Sequence, residues 1–335
     1  MPKAIALYSG GLDSILAILV VMNQGIEVTA VTFLTQIGCG VSDKSSCHQK
    51  LLSAAEPFGF HVILYDLSEK FIDVVKNPRF GYGKNMNPCL DCKILMLREA
   101  KKLMTERNAD FIVTGEVLWQ RPMSQRRDSF PRIDREAGLQ GYVLRPLSAK
   151  HLKPTIPEQK ELVNRERLYD FSGRSRKPQM ALAAEFGLAD YPQPAGGCLL
   201  TDPIYASRLK ELLMNNIDPS LKDLTLLRTG RHFRVAGNCK IIVGRNEKEN
   251  ETILTTAEDA DYLLTVEGFG SPVTLIKGEV PAGTVQLAAS LCARYSDARH
   301  LPAVEVTVRK NEEVFKIQAT PATDSVTEDL RIQPQ

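Results

Sequence analysis

The first apolar run, Ala4 to Tyr8, shows no polar alternation, and after six residues, all but Leu12 small or polar, a second run extends from Ile15 to Met22. A short continuous apolar run predicts a parallel strand buried on both faces, and the longer one a buried helix. The same pattern makes Glu27 to Phe33 and His61 to Asp66 further strands, with Ser46 to Phe58 at helical spacing between them. Leu90 to Arg107 reads as a long amphipathic helix, and Phe111 to Thr114 and Tyr142 to Leu147 as two more short strands. This alternation predicts an α/β, Rossmann-like parallel sheet flanked by helices. Ligands on such sheets bind beyond the carboxyl ends of the strands. Ser9 to Ser14, Thr35 to Cys39, Thr114 to Gln120 and Arg145 to Ser148 are therefore expected on one rim.

From Pro157 to Leu188 the pattern turns helical, with breaks at Ser172 to Ser175 and at Pro178, and Tyr191 to Gly197 reads as an irregular loop. Beyond Leu224, short runs (Phe233 to Ala236, Lys240 to Val243, Val273 to Lys277, Val304 to Val308) alternate with Gly and Asn turns, which predicts a second, smaller α+β domain. The expected divisions are a nucleotide-binding catalytic domain over 1–170, a helical connector over 171–222 carrying Pro194-Ala195-Gly196-Gly197-Cys198, the second domain over 223–319, and a disordered tail over 320–335. A chain of 335 residues with 43% hydrophobic content can support two cores. No run approaches the length of a membrane span and the first residues have no signal-peptide layout, so a cytoplasmic protein with no membrane partner is expected. In that compartment the seven cysteines are thiols, metal ligands or catalysts, and no disulfide framework is expected. A net charge of +2 leaves any nucleic-acid binding to local patches.

Ser9-Gly10-Gly11-Leu12-Asp13-Ser14 joins the first strand to the first helix. Two glycines let backbone N–H groups approach a ligand that a Cβ would block, and the helix N-terminus adds positive potential. Ser9 and Ser14 supply hydroxyl donors, a set suited to a pyrophosphate. Asp13 cannot hold phosphate itself, and a carboxylate beside a triphosphate points to an intervening Mg2+. The loop has neither the spacing and terminal Lys of a Walker sequence nor the Gly-x-Gly-x-x-Gly of a dinucleotide site.

Asn87-Pro88-Cys89-Leu90-Asp91-Cys92 places two thiols three residues apart where a loop enters a helix, a position expected to lower thiol pKa. With Cys198 they admit two leading readings, against the alternatives of a zinc site and of three unrelated buried thiols. Cys89, Cys92 and Cys198 could hold a [4Fe–4S] cluster with one iron open, or Cys89 and Cys198 could work as a sulfur-carrying pair, one bearing a persulfide and the other resolving it. Zinc ranks below both because a second Cys-x-x-Cys is absent. Cys39, Cys47, Cys239 and Cys292 read as core residues. Arg228, Arg231, His232, Arg234, Lys240 and Arg245 surround Phe233, a composition that can pair phosphates and stack a base, or that is simply a solvated charged face. A second basic loop carries Arg121, Arg126, Arg127, Arg132 and Arg135, diluted by Asp128, Asp134 and Glu136.

Ser-Gly-Gly-x-Asp-Ser resembles the PP-loop of the ATP pyrophosphatases, which split ATP between the α and β phosphates. Thr114-Gly115-Glu116 followed by Gln120 and Ser124-Gln125, and Leu144-Arg145-Pro146-Leu147, resemble patterns of the 4-thiouridine synthetases. Asn87-Pro88-Cys89-x-x-Cys92 is closer to the 2-thiouridylases, and the distant third cysteine is similar to iron–sulfur-dependent tRNA thiolases. Leu227 to Phe233 and Ile242 to Asn246 with Glu249-Asn250 resemble the RNA-binding NFACT-R module; no THUMP or rhodanese domain is expected. The resemblance implies an ATP-dependent tRNA sulfurtransferase that adenylates a uridine carbonyl and replaces its oxygen with sulfur from a cysteine desulfurase or from sulfide. In that scheme Ser9, Gly10, Gly11, Asp13 and Ser14 hold ATP-Mg, Thr114, Gly115 and Glu116 contact its adenine or ribose side, Arg145 is a weaker phosphate or tRNA contact, and Cys89 and Cys198 carry sulfur. Arg228, Arg231, His232, Arg234 and Arg245 bind RNA. Two alternatives remain open: activation of a small-molecule carbonyl for amidation, and an RNA-binding protein that uses ATP only as a switch.

Overall fold

Strand β1 (Lys3–Leu7) is buried on both faces, as its unbroken apolar run requires, and it forms the centre of a five-stranded sheet. In this computed structural model residues 1–35, 56–188, 191, 198–216 and 218–334 are described. Helix α1 (Leu12–Met22), apolar nearly all round, is inaccessible along most of its length and fills the space between the sheet and later helices. Strands β2 (Glu27–Leu34), β3 (His61–Asp66), β4 (Phe111–Thr114) and β5 (Val143–Leu144) complete the sheet in the order β3-β2-β1-β4-β5. Every pairing in it is parallel. Helices α2 (Ser68–Lys76), α3 (Cys89–Glu106), α4 (Ser129–Glu136), α5 (Ile156–Gln159) and α6 (Lys177–Glu185) follow in chain order. The strand order reverses between β1 and β4, so the loops leaving these two neighbours flank the crevice in which doubly wound sheets bind ligands. The expected rim is thus present at Ser9 to Ser14 and Thr114 to Gln120. Residues 36–39, on the same expected rim, and most of the Ser46 to Phe58 helix lie outside the described residues, as do Cys39 and Cys47.

The chain divides into two compact units, Met1–Cys198 and Leu199–Gln335, and the division falls inside the stretch read from the sequence as a connector. In the second unit, α7 (Pro203–Asn215) and α8 (Leu221–Leu226) precede β6 (Arg231–Ala236), β7 (Cys239–Val243), α9 (Glu247–Thr256), β8 (Tyr262–Val266), β9 (Thr274–Lys277), α10 (Thr284–Arg294), β10 (Val304–Lys310) and β11 (Glu313–Ala319). The strands form an antiparallel sheet in the order β11-β10-β8-β9-β7-β6. Helix α10 lays Ala288, Ala289, Leu291 and Cys292 into a core shared with Phe233, Cys239 and Ile241. Cys239 and Cys292 are therefore core residues, as read. The expected disordered tail is not what the structure has. Helix α11 (Asp324–Leu330) is capped by Thr323, and Ala322, Val326 and Leu330 pack against the second core at helical spacing. Those anchors are few in a polar sequence, but their spacing puts them on one face.

Candidate nucleotide and sulfur site

At the end of β1 the chain turns through Gly10 at φ 74°, a left-handed conformation that favours glycine, and Gly11 caps α1. Ser14, buried, donates its hydroxyl to the Gly11 carbonyl (2.7 Å) and accepts from the Ser9 N–H (3.3 Å). Its hydroxyl therefore staples the loop, which differs from the ligand-facing donor expected of it, and exposed Ser9 presents the outer hydroxyl. Asp13 is held from across the rim: Gln120 Nε2 donates to its Oδ2 at 3.0 Å. Its other oxygen, Oδ1, is buried without a hydrogen-bond partner. A buried carboxylate oxygen left this way is costly unless a cation or a donor completes it.

The loop after β4 presses directly on this turn. A Cβ placed on Gly115 would stand 2.6 Å from the Asp13 carbonyl carbon and oxygen and from the Ser14 nitrogen, so two backbones meet where only a hydrogen fits. Thr114 and Glu116 on either side are buried, and Thr114 Oγ1 donates to Glu116 Oε2 at 3.2 Å. Arg145, inaccessible at the end of β5, donates from Nε to the same Glu116 oxygen (3.1 Å) and forks onto Asp134 at 2.9 and 2.8 Å. Phe130 covers the guanidinium at 4.0 Å. Arg145 is thus a buried clamp, not the phosphate or tRNA contact it was expected to be. Lys93 in α3 lies 3.5 Å from Glu116 Oε1. Burial favours the neutral form of Glu116, but the Lys93 and Arg145 cations beside it win and hold its carboxyl below its ordinary value.

Cys89 and Cys92 open α3, which puts them one turn apart on the same side of its N-terminus. Cys92 does not behave as a helix-terminus thiolate: burial pushes it up to about 12, and the charges of Cys89 and Cys198 push in the same direction, against Lys93. The expected lowering fails because desolvation outweighs the helix dipole. Cys92 is therefore within electrostatic reach of both Cys89 and Cys198. Among the described residues, no group of three or more His, Cys, Asp or Glu side chains stands ready to hold a metal ion. Residues 192–197, which lead into Cys198, lie outside the described residues.

In the second unit the expected basic cluster is rearranged. His232 is buried, with Nε2 donating toward the carbonyls of Thr229 (2.8 Å) and Leu226 (3.1 Å), and burial followed by the charges of Lys240 and Arg208 drives its pKa well down. It is a neutral clamp on a turn, not an RNA contact. Arg234 is engaged by Glu211, which also holds Lys240 at 3.1 Å. Arg228 stays exposed. Arg231 stacks on Tyr295 at 4.3 Å, and Arg245 pairs with Glu249. Two arginines the sequence reading did not include join them. Burial and the charges of Arg245 and Arg331 lower the Arg208 pKa to about 10, and the same two charges act on Arg231. The positive locus is therefore Arg208, Arg231, Arg245 and Arg331. Asn246, Glu249 and Asn250 tie it together: Asn246 caps α9, Glu249 accepts from the Gly230 and Arg245 N–H groups, and Asn250 accepts from Val273 N–H.

Residues 1–162 match the family model of the thiamine biosynthesis protein ThiI, and residues 230–330 that of the NFACT protein RNA binding domain. The chain is 26% identical over 230 residues to a tRNA-specific 2-thiouridylase, MnmA 2, of Thermoanaerobacter sp. (strain X514), covering 63% of this chain and 59% of that protein. A probable tRNA sulfurtransferase of Staphylococcus epidermidis is 29% identical over 163 residues, covering 48% of this chain and 38% of the relative. The amino-terminal unit is thus similar to the thiouridine synthetases of the PP-loop superfamily. The chain spans only about 59% of the length of the 2-thiouridylase it matches. Among solved structures, a 4-thiouridine synthetase–RNA complex with bound ATP shares 21% identity and a TM-score of 0.35, covering 56% of this chain and 52% of that one.

Sequence reading placed the loop and Thr114 to Glu116 on one rim, and the structure brings these two together at the β1/β4 switch point; Cys198, read as part of a connector, falls in the same compact unit as Cys89 and Cys92. Sequence reading missed Lys93 and Asp134. Lys93 follows Cys92 directly on a helix start, which is the one signal that could have found it. Asp134 lay among charges read as diluting a surface loop, and nothing local marks it as buried.

Proposed function

We propose that the protein is an ATP-dependent tRNA sulfurtransferase. The observation that carries the reading is the orphaned Asp13 Oδ1 at the head of the PP-loop, on the same compact unit as Cys89, Cys92 and Cys198. The backbone N–H groups around Gly10 and Gly11 and the N-terminus of α1 hold the pyrophosphate part of ATP, with Ser9 as an outer donor. The donor set at Asp13 fits Mg2+, which when bound neutralises the developing phosphate charge. Gln120 keeps Asp13 in place, while Thr114, Gly115 and Glu116 form the wall against the nucleoside. A uridine carbonyl oxygen attacks the α-phosphorus, pyrophosphate leaves, and the base becomes an O-adenylate.

Sulfur then reaches the adenylated carbon from a persulfide carried by Cys89 or Cys198, formed by a cysteine desulfurase or an equivalent donor. The terminal sulfur attacks the carbon and AMP leaves with the former carbonyl oxygen. The partner thiolate attacks the inner sulfur, which forms a Cys89–Cys198 disulfide and releases thiouridine; a dithiol reductant restores the pair. Cys198 is exposed and Cys89 half-buried, so both are open to a donor. A [4Fe–4S] cluster would need Cys92 as a third thiolate ligand, whereas burial favours the neutral thiol there, so the two-thiol route is preferred. The arginine locus of the second unit supplies a further contact for RNA phosphates.

The test is direct. Protein incubated with unmodified tRNA, Mg-ATP and a persulfide donor should form AMP and tRNA retarded on a mercury-containing gel. Absence of AMP in the presence of RNA refutes the reading, and AMP formed only with a small carbonyl acceptor replaces it with an amidating enzyme.

A further inference from the structure

Trp119 is 47% exposed although it stands between Leu118, fully buried, and Gln120, the residue that holds Asp13. Its backbone is left-handed at φ 65°, a region in which a bulky residue is an outlier. The loop gives it no latitude to relax. The Trp119 N–H donates to the Gln125 carbonyl at 2.7 Å, Leu118 N–H to Ser148 Oγ at 2.9 Å, and Gly173 N–H to the Leu118 carbonyl at 2.7 Å. An unfavourable conformation so firmly fixed, with a large ring turned to solvent, belongs to the class of strained positions found at functional sites. The Arg126 guanidinium stands 6.0 Å from the ring centroid, and Arg121 and Arg127 on the same loop are exposed.

An exposed indole with exposed arginines beside it is the surface on which unpaired nucleobases stack while their phosphates are neutralised. We propose that Trp119, flanked by Arg126, is the stacking platform for an unpaired base of the RNA substrate, holding it beside the phosphate loop. This rests on the reading that the PP-loop unit acts on RNA. The adenine of ATP is the other heteroaromatic base at hand, but a mononucleotide whose phosphates occupy the PP-loop has no need of three further arginines.

The chain contains one tryptophan, so its intrinsic emission reports from this position alone. Titration with unmodified tRNA should quench or shift that emission, and Mg-ATP alone should leave it unchanged. Trp119→Gly relieves the backbone and keeps the loop folded. It should weaken tRNA binding in a filter assay by about 5- to 140-fold, the equivalent of about 1–3 kcal/mol for one stacked base, with ATP affinity and melting temperature preserved. Trp119→Phe should recover most of the loss. Tight tRNA binding with unaltered emission and a Trp119→Gly variant that binds like the parent overturns the platform and leaves the sulfurtransferase reading intact. Emission that responds to Mg-ATP but not to tRNA also overturns it. Failure of any tRNA to bind overturns both.

Discussion

Gly115→Ala isolates one contact on which the nucleotide site depends. Gly115 does not have a positive φ, so alanine is compatible with its backbone and the variant tests space alone. The added methyl would lie 2.6 Å from Asp13 and Ser14 backbone atoms, whereas ordinary contact begins at 3.4 Å, so 0.8 Å must be taken up by backbone on one side or the other. Neither side moves cheaply: β4 is fully buried between β1 and β5, and α1 is packed nearly all round. Overpacking of this kind costs about 1–3 kcal/mol of stability. The greater effect is on chemistry, because the displaced atoms belong to the residue that carries the orphan carboxylate oxygen. A misplacement of about 1 Å costs on the order of 100-fold in rate. Pyrophosphate release measured at saturating tRNA and Mg-ATP should therefore fall about 30- to 100-fold, while thermal unfolding stays cooperative and shifts down by a few degrees. A Gly115→Ala protein that releases pyrophosphate at the parental rate would show that the β4 loop does not position the PP-loop.

Cys89→Ser and Cys198→Ser should each abolish thiouridine formation, read on a mercury gel, while a single turnover of pyrophosphate release persists; Cys92→Ser should retain most thiolation. Equal loss in all three, with brown colour and stoichiometric iron in anaerobically purified protein, would transfer the sulfur step to a cluster. Arg145→Ala leaves Asp134 buried without its cation and Glu116 with Lys93 alone, and should cost about 3–5 kcal/mol of unfolding free energy, read as a lowered urea midpoint; an unchanged midpoint would refute the clamp. Glu99 is buried beneath Tyr65, Lys70 and Lys102; burial opposes its charge, but their hydrogen bonds hold its pKa at about 2 against the ordinary 4.5. That difference is worth about 3 kcal/mol, reduced to about 1–2 because both lysines are half in water. A depressed carboxyl stabilises the fold above its unfolded pKa, so this contribution is complete above about pH 5 and is lost as pH falls from about 4.5 toward 2. Glu99→Gln should flatten the stability curve in that window, and a curve that keeps its slope would refute the assignment.

The parts of this protein that could be read from the chain are those whose cause is local. An unbroken apolar strand, a glycine turn and an apolar helix depend on neighbours in sequence, and β1, the loop and α1 lie where the pattern put them. β6, β7, β9 and β10 were legible for the same reason. The side chains whose roles changed are those governed by a partner far along the chain. Arg234 looked like a phosphate contact until Glu211, 23 residues earlier, was found to occupy it. His232 looked like a basic contact until two carbonyls fixed its proton on Nε2 and burial made it neutral. Conversely, Arg208 and Arg331 lie far along the chain from the basic run that was read as the cluster, yet the charges of Arg245 and Arg331 act on both Arg208 and Arg231 and lower their pKa values. A carboxylate or a carbonyl close to an arginine changes what that arginine can do, and charge counted along a sequence is blind to such distances. Around Arg208 and Arg231 the fold gathers guanidinium groups from distant parts of the chain, with Glu249 and Asp202 as acidic neighbours, and that proximity exists only in three dimensions.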